Sequence, residues 1–257
     1  WLASSQDIAF WQKDATNPLK YNSQLPTVMD FMTERALETC FNEHGKPWED
    51  KGMNRLYNTI ANDYLYANVN NLLVFAENHD TQRYNHLLNS DITKYKMAMA
   101  FIMTTRGIPQ IYYGSEIGMT GNKDKGDGDI RRDFPGGWSG DSINAFSANG
   151  RTAIQNEYYS YMSKLLNWRK NKPVIHTGQL THYIPENDIY VYFRYNNTEK
   201  IMVIINNNLT DQTLKLDRYA ENLKGKIKGT DVMSEKTFDL TSPILLPKES
   251  VLILELK

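Results

Sequence analysis

With one cysteine, Cys40, among 257 residues, the sequence cannot form a disulfide within itself. The thiol reads as a small buried hydrophobe that reports nothing about redox compartment. Charge of one sign is also lacking. Lys and Arg number 29 against 30 Asp and Glu, a formal net charge of -1, so the balance implies no surface built for nucleic acid or another polyanion. No apolar run approaches the roughly 20 residues that span a bilayer, and no charged segment followed by an apolar core opens the chain. Membrane insertion is not expected. Repeats and low-complexity tracts are absent. No His or Cys cluster has metal-ligand spacing, the Asp-rich stretch 124–133 lacks a calcium-loop register, and neither glycine-rich piece follows a strand with phosphate-binding spacing. No metal and no cofactor is expected.

What is present is enough apolar content, 40%, for a sizeable core. Sixteen tyrosines suit either sugar-stacking surfaces or a tyrosine-rich core. Residues 4–24 show no sustained period and read as a long loop with a short helix near Ile8–Gln12. Leu25–Phe31 reads as a strand, Met32–Glu43 as a helix, Glu49–Asp63 as a helix and Leu72–Glu77 as a strand. Asp91–Arg106, capped by Ser90, is the most regular helix, and Ile108–Tyr113 is a third strand. This alternation predicts an α/β fold with a parallel sheet and right-handed crossovers. A long Gly- and Asp-rich loop, 115–150, precedes a helix over Thr152–Lys170. The period then changes to alternation, with strands expected at Ile189–Tyr195, Ile201–Asn206, Gln212–Leu216, Thr237–Leu240 and Val251–Leu256, a small antiparallel β unit. The boundary is expected between 171 and 172.

The stretch Phe75-Ala-Glu-Asn-His-Asp80 follows the apolar run Leu72–Val74, and the carboxyl end of a parallel strand is where α/β folds place their sites. Asn78, His79 and Asp80 set an amide, an imidazole and a carboxylate together. Such a set binds vicinal hydroxyls or stabilises developing positive charge; the alternatives are an Asp capping a loop and a His satisfied in the core. Phe10, Trp11 and Trp138 are loop aromatics able to stack on sugar rings or to anchor their loops.

Phe75-x-x-Asn-His-Asp-Thr-x-Arg83, followed after one helix by Gly107-Ile-Pro-Gln-Ile-Tyr-Tyr-Gly-Ser-Glu-Ile-Gly-Met119, resembles the α-amylase family of glycoside hydrolases. Thr27-Val-Met-Asp-Phe31 and Asp188-Ile-Tyr-Val-Tyr-Phe193 look closest to its neopullulanase and cyclomaltodextrinase-like branch. The resemblance implies the later strands and helices of a (β/α)8 barrel (1–171) followed by an all-β antiparallel sandwich (172–257). It also implies retaining cleavage of α-1,4-glucosidic bonds in maltooligosaccharides, cyclodextrins or pullulan.

By the same resemblance Asp80 is the transition-state stabiliser, with His79 and Asn78 binding the sugar beside it. Asp127 and Arg131 match the spacing of a sugar-binding Asp-Arg pair, although Gly128 stands where the family has proline. Arg83 is an orienting residue. Trp1 resembles the tryptophan just after the general-acid Glu, so the acid and the nucleophile Asp are expected upstream, and residues 1–257 alone are expected to be inactive. Glu77 and Glu116 read as structural.

The opening Trp1-Leu-Ala, without Met, reads as a start inside a domain. A partial barrel predicts exposed apolar surface and self-association, or completion by another chain. A non-catalytic, carbohydrate-binding or scaffolding relative is the alternative; the retained Asn78-His79-Asp80 argues against it. Periplasmic or cell-surface localisation is implied by the resemblance alone.

Overall fold

The computed structural model describes residues 3–257; Trp1, named above, lies outside them. Helix α1 runs Ser5–Phe10, earlier than the sequence suggests. A capping box starts it: Asp7 N–H donates to Ser4 Oγ at 3.2 Å and Ser4 N–H to Asp7 Oδ2 at 2.9 Å. Strand β1 is only Val28–Met29, because Pro26 supplies no ladder donor and Asp30 already caps helix α2, Phe31–Cys40, accepting from Thr33 N–H at 3.0 Å. Helix α3, Met53–Ala61, starts after Gly52, whose φ of 56° ends any earlier helical path.

Strand β2 is Leu72–Val74, shorter than expected because the chain leaves the ladder at Phe75. The one-turn helix α4, Tyr84–Leu87, precedes α5, Ile92–Thr104. Asp91 is the cap of α5, accepting from Thr93 and Lys94 N–H at 2.8 and 3.3 Å. The expected cap, Ser90, sits in the turn before it at φ 60°. Strand β3 is Ile108–Pro109. Both β1–β2 and β2–β3 pair in parallel, in the order β1-β2-β3.

The long loop after β3 contains one turn of helix, α6, Asp127–Ile130. Helix α7, Ala153–Lys170, opens on a Thr152/Gln155 capping box, and α8 follows at Pro173–Thr177. The remainder is antiparallel: β4 Gln179–His182, β5 Ile189–Tyr195, β6 Lys200–Asn206, β7 Gln212–Leu214, a turn of helix α9 at Ala220–Leu223, β8 Lys228–Asp231, β9 Thr237–Asp239, β10 Ile244–Leu246 and β11 Ser250–Leu256. Six strands form one sheet in the order β4-β5-β6-β11-β8-β9, and β7 pairs with β10. Strands β4 (Gln-Leu-Thr-His) and β8 (Lys-Gly-Thr-Asp) are too polar to stand out, and β10 (Ile-Leu-Leu) does not alternate.

Strand parity joins the two parts. Tyr190, Tyr192, Ile201, Val203, Ile205 and Ile253 pack into the core built by α2, α3, α5 and α7. Their neighbours Val191, Phe193, Met202, Ile204 and Leu254 pack into a second core with Leu214, Tyr219, Leu246 and Leu256. The central strands are therefore buried on both faces. Cys40 is free and buried, and burial pushes its thiol pKa up.

Polar ties cross the same boundary. Asp188 Oδ2 meets His44 Nδ1 at 2.9 Å and accepts from Asn207 Nδ2 at 3.1 Å; its Oδ1 accepts from Met53 N–H at 3.0 Å. Inside the parallel part, the fully buried Arg106 donates to Asp30 Oδ2 at 2.7 Å and to Asp63 at 2.8 to 2.9 Å. A guanidinium this deep persists only when its charge and donors are matched. Among the described residues no helix is long and apolar enough to cross a membrane.

Candidate active site

Asn78, His79 and Asp80 stand just beyond the carboxyl end of β2. Two bonds fix the turn: Asp80 N–H donates to Asn78 Oδ1 at 2.8 Å, and Asn78 N–H to Thr81 Oγ1 at 2.9 Å. An Asn whose side chain mimics a backbone turn holds the next two residues up into solvent. The Asp80 carboxylate is 38% exposed and the His79 ring 63%, while Asn78 is buried. Asn78 thus shapes the turn that presents the other two.

Arg131 draws the loop after β3 onto this turn. Its Nε donates to His79 O at 2.7 Å, and its Nη2 meets Asp80 Oδ1 at 2.7 Å and Asp127 Oδ2 at 2.8 Å. His79 Nε2 is 3.3 Å from Asp80 Oδ2. The four side chains that the sequence nominated as Asp80, His79, Asp127 and Arg131 are thereby one contiguous, open cluster. Lys123 also binds Asp127; this bond, with Arg131 behind it, holds the Asp127 carboxyl below the usual range. Two carboxylate acceptors alternating with imidazole and cationic donors match the hydroxyls of a neutral sugar, each of which both donates and accepts.

Gly128 does not disturb the pair. Asp127 opens α6 and Arg131 is its C-cap, four positions on, the spacing at which side chains meet across a helical turn. Nothing lies within 4 Å of where a Cβ at Gly128 would stand, and position 128 is in the first turn of α6, where proline is tolerated. The departure from the family motif therefore costs the local geometry nothing.

Beneath the cluster lies a buried support. Arg83, with no exposure, donates through its backbone N–H to Gly121 O at 3.3 Å, through Nε to Ile130 O at 2.8 Å and through Nη1 to Tyr113 O at 2.6 Å. Its guanidinium lies 4.0 Å from the ring centre of Tyr112 and 4.7 Å from that of Tyr113. Glu77 accepts from Tyr84 N–H at 2.5 Å and stands 3.7 Å from Arg83 Nη1. Burial pushes the Glu77 carboxyl up to about 7, against the pull of Arg83. Glu77 lies just past β2 rather than within it, and Tyr112 and Tyr113 meet edge-on at 4.7 Å with both rings against the Arg83 guanidinium.

Sequence reasoning missed Gln82, Asn122 and Lys123. Gln82 Oε1 accepts from Lys123 N–H at 2.7 Å and its Nε2 donates to Asn122 Oδ1 at 3.3 Å, while Asn122 N–H donates to Asp129 Oδ2 at 2.6 Å. These bonds lace the loop of α6 to the turn of Asp80. No periodicity marks them, since Gln82 lies some 40 residues from both of its partners. Phe10 and Trp11, singled out with Trp138 as sugar-stacking candidates, are not in this cluster. They lie before β1, at the amino ends of the parallel strands. Trp138, 70% exposed, lies in the loop after β3. Among the described residues no group of three or more His, Cys, Asp or Glu side chains is placed to hold a metal ion.

Residues 9–178 match the α-amylase catalytic domain, and residues 180–255 match the cyclo-malto-dextrinase C-terminal domain. A cyclomaltodextrin glucanotransferase of Geobacillus stearothermophilus is 26% identical over 253 residues, covering 93% of this chain and 32% of the relative. An α-amylase of Niallia circulans is 28% identical over 229 residues, covering 86% of this chain and 39% of the relative. Among solved structures, an Anoxybacillus α-amylase superposes with a TM-score of 0.71 at 23% identity, covering 90% of this chain and 47% of that one. The α-amylase of Geobacillus thermoleovorans, crystallised with acarbose, gives 0.68 at 23%, covering 91% and 48%. The chain thus spans about a third of the length of such sequence relatives and about half of the structural ones. The three parallel strands are the later part of a (β/α)8 barrel, the antiparallel part is its appended β-sandwich, and the chain belongs to the α-amylase family.

Proposed function

We propose that this chain is the substrate-stabilising part of a retaining α-glucan-cleaving enzyme, with the barrel portion at 1–171 and the β unit at 172–257. The observation that carries the reading is the Asp80–Arg131–Asp127 chain of contacts at 2.7 and 2.8 Å, open to solvent at a strand's carboxyl end. Retaining cleavage passes through an oxocarbenium-like state between an acid and a nucleophile about 5 to 5.5 Å apart. Asp80 is the stabiliser of that state. Its carboxylate accepts from hydroxyls of the sugar beside the scissile bond, and those bonds strengthen as positive charge grows on the ring. His79 donates to the same sugar from the other side, and Arg131 keeps both at one height through His79 O.

Asp127 and Arg131 bind the next sugar along. Arg131 pairs with Asp80 at 2.7 Å; a sugar hydroxyl that displaces it releases the carboxylate for the transition state. The acid and the nucleophile come from segments outside this chain. Linear maltooligosaccharides, cyclodextrins and pullulan are the substrates proposed. Its relatives include proteins named for hydrolysis and for glucan transfer. The two share the first half-reaction and differ in whether water or a sugar hydroxyl accepts the glycosyl group.

The test has two arms. The 257-residue chain, titrated with maltoheptaose in a calorimeter, binds it, and Asp80→Asn weakens binding; equal heats from both proteins would refute the site. The same chain releases no more glucose or maltose from maltoheptaose or β-cyclodextrin than an Asp80→Ala control. Turnover above that control would refute the absence of acid and nucleophile.

A further inference from the structure

A second aromatic surface lies at the other end of the sheet. Residues 11–27 precede β1 and residues 62–71 precede β2, so both belong to the amino ends of the parallel strands, opposite the end that carries Asp80. Gln12 joins them: its Nε2 donates to Asn68 O at 2.8 Å and its Oε1 accepts from Asn68 N–H at 2.9 Å. On this frame Phe10 and Tyr21 stack with ring centres 5.7 Å apart at 13°, and Trp11 meets Phe10 edge-on at 5.1 Å and Tyr21 edge-on at 6.0 Å. Trp11 is 50% exposed and Tyr21 46%. Asn17 locks the loop in this form, donating through Nδ2 to Tyr21 O at 2.7 Å and accepting from Tyr21 N–H at 3.1 Å.

Beside the rings runs a groove of about 510 Å³ lined by Gln6, Asp7, Phe10, Trp11, Thr16 and Leu65 among others. That volume falls in the range of small-molecule sites. Its chemistry is mixed in a specific way: flat aromatic faces, an exposed amide on Gln6, an exposed hydroxyl on Thr16 and one carboxylate on Asp7. Among the described residues that line it there is no Lys, Arg or His, which disfavours phosphate and carboxylate ligands. Aromatic faces take the apolar C–H face of a pyranose, and amide, hydroxyl and carboxylate groups take its equatorial hydroxyls.

We propose that the Trp11 groove is a second glucan-binding site, remote from Asp80, that holds two or three α-linked glucose units. Its role is to keep a long chain on the protein while the other end is processed. Two weak sites on one molecule gain from each other's effective concentration when a single polymer reaches both. The sugar class of the groove follows from its own lining; that the sugar is an α-glucan rests on the proposed function.

Calorimetry with maltoheptaose on the 257-residue chain tests it, with cellohexaose as the linkage control. Trp11→Ala is expected to weaken one binding step by about fivefold or more, the loss of one stacked face. Trp11→Phe retains that step within about twofold, and Asp80→Asn leaves it in place while weakening the other. Gln6→Ala, an exposed helix position, weakens the same step as Trp11→Ala and decides the matter if Trp11→Ala alters the circular dichroism. If Trp11→Ala and Gln6→Ala both leave the affinities and the number of bound maltoheptaose molecules unchanged, the groove is not a glucan site, whatever Asp80→Asn does. If cellohexaose binds the groove as tightly as maltoheptaose, its α-glucan assignment is overturned. Binding lost in Trp11→Ala and unaffected in Asp80→Asn supports the groove and refutes the Asp80 reading.

Discussion

Glu77→Gln should flatten a pH dependence of stability that the wild-type chain carries. The Glu77 carboxyl is buried and pushed from its ordinary 4.5 to about 7. A raised carboxyl pKa means that the folded chain holds the proton more tightly than the unfolded chain. No stability is lost below pH 4.5; the loss accrues as pH rises through the window from 4.5 to 7 and is complete above it. At about 1.4 kcal/mol per decade the full loss is ~3 kcal/mol, an upper figure because native and unfolded states both relax. Gln keeps an oxygen for the Tyr84 N–H, now at 2.5 Å, and removes the proton equilibrium. It also turns an amide toward Arg83, a penalty that does not vary with pH. Urea unfolding of both proteins at pH 4.5, 6 and 8.5 separates the two effects. The difference in unfolding free energy, variant minus wild type, should rise by about 2 to 3 kcal/mol between the first and last pH. Parallel profiles would show that Glu77 does not titrate between the folded and unfolded states, and the account of the buried support would fall.

Burial, with Arg106 nearby, holds the His182 ring down to about 4, stacked on Tyr57 at 4.6 Å and bonded to Tyr190 at 2.9 Å. A depressed histidine pKa favours the neutral folded form, so stability is full above pH 6.5 and falls as pH drops toward 4; His182→Phe should lose that fall in acid-unfolding curves. Arg106→Leu should cost about 3 to 5 kcal/mol in urea, because it strands the Asp30 carboxylate. In the longer enzyme proposed above, Asp80→Asn should cut kcat on the order of 10²- to 10³-fold with a smaller effect on KM. Arg131→Ala should chiefly raise KM for maltoheptaose. An Asp80→Asn enzyme with normal kcat would refute the stabiliser role.

Much of the site could be read in the sequence, because family motifs pack its residues into two short stretches, 75–83 and 127–131. Their meeting could not. The Arg131–Asp80 contact depends on a loop whose path is set by Arg83 binding the carbonyls of Tyr113, Ile130 and Gly121, three points that no local pattern connects. Helices were found where apolar spacing repeats, and their starts were misjudged where a cap competes with its neighbour, as Asp91 does with Ser90. The parallel strands were overestimated because their apolar runs continue into segments that cap helices or turn into the site: Asp30 ends β1 early, and Phe75 leaves β2. In the antiparallel part, β5, β6 and β11 are legible by their length, while β4 and β8 are too polar and β10 does not alternate, so that only their partners define them. Trp11 was noticed as an aromatic, and only topology placed it at the far end from Asp80.

The sheet with both faces buried has a consequence for how the chain folds. Odd and even residues of β5, β6 and β11 serve different cores, so a slip of one residue in any pairing would exchange the two sets of side chains and fill neither core. Part of the cover over α5 is supplied by β11, whose Ile253 comes about 150 positions later in the chain. During synthesis that part of α5 stays uncovered until β11 leaves the ribosome, about 8 to 30 seconds later at roughly 5–20 residues per second. The barrel portion and the sandwich are therefore coupled in time as well as in space: α5 waits, part of its apolar face open, for the strand that closes it.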